Sequence, residues 1–351
     1  MLRGVSTAAV LSPRTPTLPG WPLLGALPSF RRDMLGVFER AAELGDVVRI
    51  ELPFRTGYAV SHPDGIRHVL VDNHKNYGKN TRGYRMLSIA LGQGLVTSQG
   101  ELWRRQRRIA QPAFHHQRIS RFLETMDAAS TRAVERWRGQ VAPGETLEID
   151  AEMMRLTLEI VGRCLMSTDL TDASDAVAEA MAVVLAETVW RLTRPLALPL
   201  RIPTRRNLRL QSALARMRRL VGRIIETRRA SPEEAHDLLA MFMEARDEDT
   251  GEGMTDRQLQ DEIMTMVSAG HETTANALTW ALHFLTENPD ARARLEAEVD
   301  DVLGEGAPLN LEALGRLEYT EATLKESMRL RPPVWLLARS AEGDDEILGH
   351  D

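Results

Sequence analysis

A chain of 351 residues with 43% hydrophobic content is long enough to bury a substantial core, which excludes disorder and leaves room for one large domain or two ordinary ones. A formal charge of -6 excludes the basic balance of a nucleic-acid binder. The single cysteine, Cys164, excludes an internal disulfide, and no apolar run reaches the about 18 residues of a membrane span, so the expected setting is the cytoplasm without a membrane anchor.

The short apolar patch VSTAAVL is broken by Pro13, Pro16, Pro19 and Pro22 and has no cleavage-like continuation. TPTLPGWPLLGALPSF, rich in proline and glycine, predicts ordered coil wrapped over a surface rather than helix. Residues 1–30 are therefore expected to be a segment packed on a single domain spanning 31–351. A helix is expected from Asp33 to Leu44, then a hairpin from DVVRIELP and TGYAVSHP, then helix again in HPDGIRHVLVDN. Beyond about residue 115 the pattern is almost all helical, with stretches at 145–167, 172–194, 205–229, 232–246, 255–287, 290–304 and 318–330. The predicted class is mainly α with a small, early β region. RSAEGDDEILGHD reads as a strand and turn with no pairing strand to follow, an open sheet edge of the kind that promotes aggregation.

Two stretches stand out. Residues 205–229 hold nine arginines, which read as the solvated face of an amphipathic helix or, alternatively, as a surface for a membrane or an acidic partner. Residues 255–287 lack proline and, at about 1.5 Å per residue, would form a helix about 50 Å long, with AGHETT at its middle.

In AGHETT a zinc reading of His271-Glu272 needs a second histidine one turn later, and that place is Ala275. Ala269 and Thr273, four apart, share a helix face, and small residues at 269 and 270 let a flat cofactor or a diatomic ligand approach the backbone. Thr273 bonding back to the carbonyl of residue 269 would loosen the helix. Glu272 adds a titratable group beside that hydroxyl, a pair suited to proton delivery. A packed helix crossing is the plainer alternative. In GELWRRQRRIAQPAF, Trp103 and Arg107 lie one turn apart, a pair suited to carboxylates or simply a basic surface helix. In TLKESMRLRPP, Glu326 and Arg329 at i, i+3 are placed for an internal ion pair, weak if exposed and organising if buried with a third partner.

These strings, in this order, resemble the cytochrome P450 family of haem-thiolate monooxygenases. AGHETT is similar to its oxygen-binding helix motif [AG]-G-x-[DE]-T-[TS], KESMR to its E-x-x-R motif, and WRRQR to the W-x-x-x-R string that holds a haem propionate; LPGWPLLG and GQGLVTSQGELW also fit. The resemblance implies haem b as cofactor, with Glu272 and Thr273 the acid and alcohol that deliver protons during oxygen activation, and Ala269 and Gly270 lining the oxygen groove. It implies that Trp103, Arg107, Arg339 and Lys79 bind propionates, that Glu326 and Arg329 are structural, and that segments 81–91, 183–192 and 334–337 build the substrate pocket.

The family's iron ligand is a cysteine in F-x-x-G-x-x-x-C-x-G, downstream of E-x-x-R, and Asp351 precedes it. The expectation is thus a cytochrome P450 fold lacking its C-terminal haem-ligand loop and final helix, a fragment with no metal ligand of its own. Cys164, on one helical stripe with Leu156 and Ile160, reads as a buried structural cysteine. The implied reaction is hydroxylation or epoxidation of an apolar small molecule with O2. Electrons would come from a separate ferredoxin or flavodoxin and its NAD(P)H reductase, and this chain alone would be inactive. A non-catalytic remnant or hydrophobic-ligand-binding module is the second reading, and a zinc hydrolase the third.

Overall fold

A computed structural model describes residues 15–350 except 54, 115–119, 121, 143, 171–173, 195–196, 231–236, 248–249 and 305–308. The patch VSTAAVL and Pro13 lie outside the described residues. Two compact units emerge: Met1–Met86 with Thr188–Pro199 and Ala338–Asp351, and Leu87–Glu187 with Leu200–Leu337.

The first unit is built on a hairpin. Strands β1 (Val47–Leu52) and β2 (Arg55–Val60) pair antiparallel from Val47 opposite Val60 to Leu52 opposite Arg55, as the clustering of β-formers predicts. The proline-rich segment runs along β1: Leu18 N–H donates to the Arg49 carbonyl, Arg49 N–H to that of Pro16, and Ala26 N–H to that of Glu51. The edge of the strand is thereby satisfied by coil. The coil expectation extends too far, because its last residues form helix α1 (Leu27–Arg32), with a proline in the first turn, where its missing N–H costs nothing. Helix α2 (Met34–Leu44) starts at Asp33, whose side chain accepts from Gly36 N–H. Its fully buried Val37 and Ala41, one turn apart, pack with Leu18, Val48 and Ile50.

HPDGIRHVLVDN holds less regular helix than expected: α3 (Pro63–Arg67) passes into one wide π turn, His68–Asp72. The chain then reaches strand β3 (Tyr77–Gly78) and helix α4 (Arg82–Leu91). The strand expected to lack a partner, β4 (Ser340–Ala341), has one: it pairs antiparallel with β3. The partner lies far upstream in the chain, not downstream of residue 340. Beside this pairing the Asp345 carboxylate accepts from Tyr77 Oη at 2.5 Å and Asn73 Nδ2 at 3.1 Å, and lies 2.8 Å from His68 Nε2. Tyr77, then His68 and Asn73, hold its pKa down to about 2 against the effect of burial, and burial and Asp345 push the Tyr77 hydroxyl up. A depressed carboxylate contributes stability above its unfolded pKa and loses it as pH falls through the folded value. Asp345→Asn is therefore expected to cost about 1 kcal/mol near neutrality, a difference that shrinks from pH 4 toward pH 2 when urea midpoints are compared.

The second unit is helical: α5 (Gly100–Ala110), α6 (Phe122–Gln140), α7 (Ile149–Met166), α8 (Ser174–Leu192, of which residues to Glu187 belong here), α9 (Arg205–Ala230), α10 (Leu238–Glu244), α11 (Asp256–Glu287), α12 (Pro289–Leu303), α13 (Leu311–Arg316) and α14 (Glu318–Leu330). Helices α6 and α13 belong to the helical pattern expected beyond residue 115 without being among its named stretches, and the expected 232–246 helix narrows to α10, capped by Asp237, with 231–236 outside the described residues. Helix α11 holds 32 residues unbroken, about 48 Å, and opens on a capping box in which Thr255 and Gln258 satisfy each other's backbone N–H groups. It runs against α7 and, with α8, α9 and α10, encloses the main core around Phe242, Leu158, Ile263 and Met264. Among the described residues no helix is long and apolar enough to cross a membrane.

Candidate functional site

The AGHETT string presents two faces. On one, Gly270 lies so close to α7 that a Cβ there would meet Val161 Cγ2 at 3.1 Å. The adjoining His271 is buried, its Nε2 3.0 Å from the Met154 carbonyl, and Thr157 Oγ1 donates to the His271 carbonyl at 3.0 Å. Burial holds the His271 pKa down, against the Met154 carbonyl, so the ring is a neutral packing group that donates to a carbonyl. Ala275, one turn on, is fully buried. Among the described residues no three His, Cys, Asp or Glu side chains gather to hold a metal. The packed crossing thus describes this face of the string.

The other face carries Ala269, exposed, and Thr273, half-buried. Thr273 Oγ1 donates to the Ala269 carbonyl at 2.6 Å. The helix is not loosened by that bond: it stays α through the whole string. Glu272 projects between the two faces, and burial first, then the Asp150 charge, push its carboxyl above the ordinary range. A carboxyl whose protonated form is favoured in this way, next along the helix to a hydroxyl, is equipped for proton transfer.

Helix α5 is held to α11 by residues that motif reading passed over. Asp261 Oδ2 accepts from Gln93 N–H at 2.9 Å and Glu262 Oε2 from Leu95 N–H at 3.0 Å. Gly92 and Gly94 admit this approach, since a Cβ on Gly92 would fall 2.1 Å from the Asp261 carboxylate and one on Gly94 2.1 Å from Thr265 Oγ1. Gln106, buried in α5, donates to the Gln93 carbonyl at 2.6 Å. The signal was visible as Gly-x-Gly before α5 and an Asp-Glu pair two turns ahead of AGHETT, but neither string names its partner. On α5 itself the Arg107 guanidinium lies 5.4 Å from the centre of the Trp103 ring, the two side by side as the one-turn spacing predicts.

The remaining predicted cations sit in the first unit. Arg339 donates to Tyr84 Oη at 2.8 Å and lies 5.7 Å from its ring centre. Lys79 approaches the same ring at 5.9 Å, so both converge on Tyr84. Glu326 and Arg329 form a two-pronged ion pair, both bonds 2.7 Å. The pair is exposed, the weak case of the two foreseen for it. Of the segments expected to line a pocket, 334–337 presents four exposed apolar side chains, Val334 to Leu337. In α8 Met181 turns toward α11, its sulfur 3.6 Å from Ser268 Oγ. Cys164 is buried within α7, and burial pushes its thiol up to about 11.

Residues 13–351 match the family model described as Cytochrome P450. Cyclooctatin synthase of Streptomyces melanosporofaciens is 36% identical over 94% of this chain and 71% of its own length. Cyclooctat-9-en-7-ol 5-monooxygenase of the same organism is 33% identical, over 95% of this chain and 72% of its own. Pentalenene oxygenase of Streptomyces avermitilis is 31% identical, over 95% and 73%.

Proposed function

The chain belongs to the cytochrome P450 family, whose members are haem b enzymes, and from that premise we propose that it oxygenates an apolar, olefinic small molecule through proton delivery by Glu272 and Thr273. The substrate class rests on the names of the relatives, which specify oxygenation of pentalenene and of cyclooctat-9-en-7-ol. The observation that carries the reading is the raised carboxyl of Glu272, followed along α11 by a hydroxyl whose own proton is committed to the Ala269 carbonyl. That commitment leaves the Thr273 lone pairs free to accept a hydrogen bond, while the transferable proton is the one on the Glu272 carboxyl.

The residues suit a haem in part. Arg107 and Arg339 are cations with no carboxylate partner within ion-pair distance among the described residues, which suits two propionates. Val334 to Leu337 offer apolar surface for a flat ring. Cys164 does not suit the iron: its thiol is buried in a helix and pushed toward the neutral form, whereas an axial ligand must be a thiolate. The axial ligand is therefore not Cys164 in this reading.

Haem, when bound, supplies oxygen activation and accepts electrons from a partner, which we assign to a separate ferredoxin or flavodoxin with its NAD(P)H reductase. Trp103 and Arg107 would hold one propionate and Arg339, with Lys79, the other. Ala269 keeps the α11 surface low enough for a small ligand to reach the Thr273 hydroxyl. Gly270 contributes by letting α11 settle on α7. Glu326 and Arg329 act structurally, by fixing the end of α14.

Titrating haem into the protein and following the Soret band tests the cofactor assignment. Arg107→Ala is expected to raise the dissociation constant about tenfold or more, the worth of one charge-assisted hydrogen bond. An unchanged constant in that variant and in Arg339→Ala would remove both residues from the site.

A further inference from the structure

Helix α9 shows an arrangement that the oxygenation chemistry does not use. Arg205, Arg209, Arg216, Arg219 and Arg223 recur at helical spacing, so they share one stripe about 80° wide and about 27 Å long. No acidic residue lies between Glu187 and Glu226, in a chain whose net charge is -6. Among the described residues, Glu187 of α8 pairs with Arg206 at 2.5 Å and Glu179 with Arg216 at 3.4 Å. Arg205, Arg209, Arg219 and Arg223 are exposed and make no ion pair within 4 Å among the described residues.

Like charges one turn apart, as at 205 and 209 or 219 and 223, oppose helix formation, and a solvated face ordinarily interleaves both signs. This stripe does not, so its cost has no return within the protein. Two further features sit beside it. Leu208 is 50% and Ile202 38% exposed, apolar side chains bordering the cations. Next to them opens a groove of about 560 Å³ with an apolar wall of Ile89, Leu200 and Leu214 and with Arg218 and Arg219 at its rim.

We propose that the arginine face of α9 docks on an anionic lipid bilayer, with the arginines on the headgroups, Leu208 and Ile202 entering the interface, and the groove accepting an acyl chain. A straight, convex row of cations bordered by apolar side chains matches a flat anionic surface with an apolar layer beneath it. An acidic protein would match the charge and leave the apolar border and the groove unexplained. The docking is independent of the oxygenation reading and stands or falls separately from it.

Co-sedimentation of the full 351-residue chain with vesicles of phosphatidylglycerol in phosphatidylcholine, against phosphatidylcholine alone, tests it. Binding is expected only to the anionic vesicles and should weaken steeply with added salt. The variant Arg205→Gln/Arg209→Gln/Arg219→Gln/Arg223→Gln should lower the partition coefficient on the order of a hundredfold or more. Should that variant lose its helical circular dichroism, the two paired variants, each removing half of the stripe, carry the comparison. Leu208→Gln should weaken binding without changing its salt dependence. Equal partition to both vesicle types, binding unchanged in the arginine variants, or capture by polyglutamate with none by anionic vesicles would each overturn the proposal, the last in favour of an acidic protein surface.

Discussion

In the enzyme with its iron ligand in place, Glu272→Gln is expected to lower product formation by about a hundredfold or more, the scale of a lost general acid, at unchanged haem content. The carboxyl lies where burial and the Asp150 charge both favour its protonated form, and glutamine keeps the shape without the transferable proton. The pH dependence separates this role from a packing role. The wild-type rate should fall as pH rises through the elevated pKa, because the acid is then ionised, whereas the glutamine variant should show no such limb. Stability should move the other way. A carboxyl whose folded pKa is raised binds its proton more tightly when folded, so the protein loses stability as pH rises from the unfolded value through the folded one. Thermal melts should place Glu272→Gln level with wild type at pH 4 and above it at pH 7. A variant that melts higher yet turns over poorly identifies a functional acid; one that retains full turnover and its pH limb removes Glu272 from the mechanism.

Gly94→Ala is expected to destabilise the protein by about 2–3 kcal/mol, the cost of forcing a methyl into a filled space. The new Cβ would stand 2.1 Å from Thr265 Oγ1 and 2.7 Å from the Asp261 carbonyl. The hydroxyl can be removed, but the carbonyl belongs to the backbone of α11 and cannot yield. Thr265→Ala alone should cost little, and combined with Gly94→Ala it should restore only part of the loss, a coupling that a double-mutant cycle in urea reads directly. Because the Gln93 and Leu95 bonds to Asp261 and Glu262 position the start of α5, Gly94→Ala should also weaken haem binding. Full additivity of the two substitutions would show that the loop and α11 are not in the close register seen here.

Helix lengths and motif spacing were legible because each is local. The proline-free run of α11 gave its ends to within one residue, and the one-turn offset of Trp103 and Arg107 gave their side-by-side placement. Pairings across long separations were not legible. Nothing in Tyr77-Gly78 announces a strand of two residues, and nothing in Asp261-Glu262 says which loop its oxygens will receive. The two-faced character of AGHETT was equally hidden, since Gly270 and Ala269 differ little as residues and acquire opposite surroundings only when Val161 of α7 arrives. For Glu326 and Arg329 the spacing predicted the bond and could not predict its exposure.

The link from Tyr77 to Asp345 joins residues 268 positions apart, and that separation has a meaning in time. At the about 5–20 residues per second of synthesis, β3 waits on the order of ten seconds to a minute for β4 to exist. The hairpin of β1 and β2 is complete long before, so the first unit must be held through translation with its last strand missing. During that interval Tyr77, His68 and Asn73 face water in place of their shared carboxylate. A ribosome pausing late in the message would thus prolong the life of an intermediate whose open edge is the strand at residue 77.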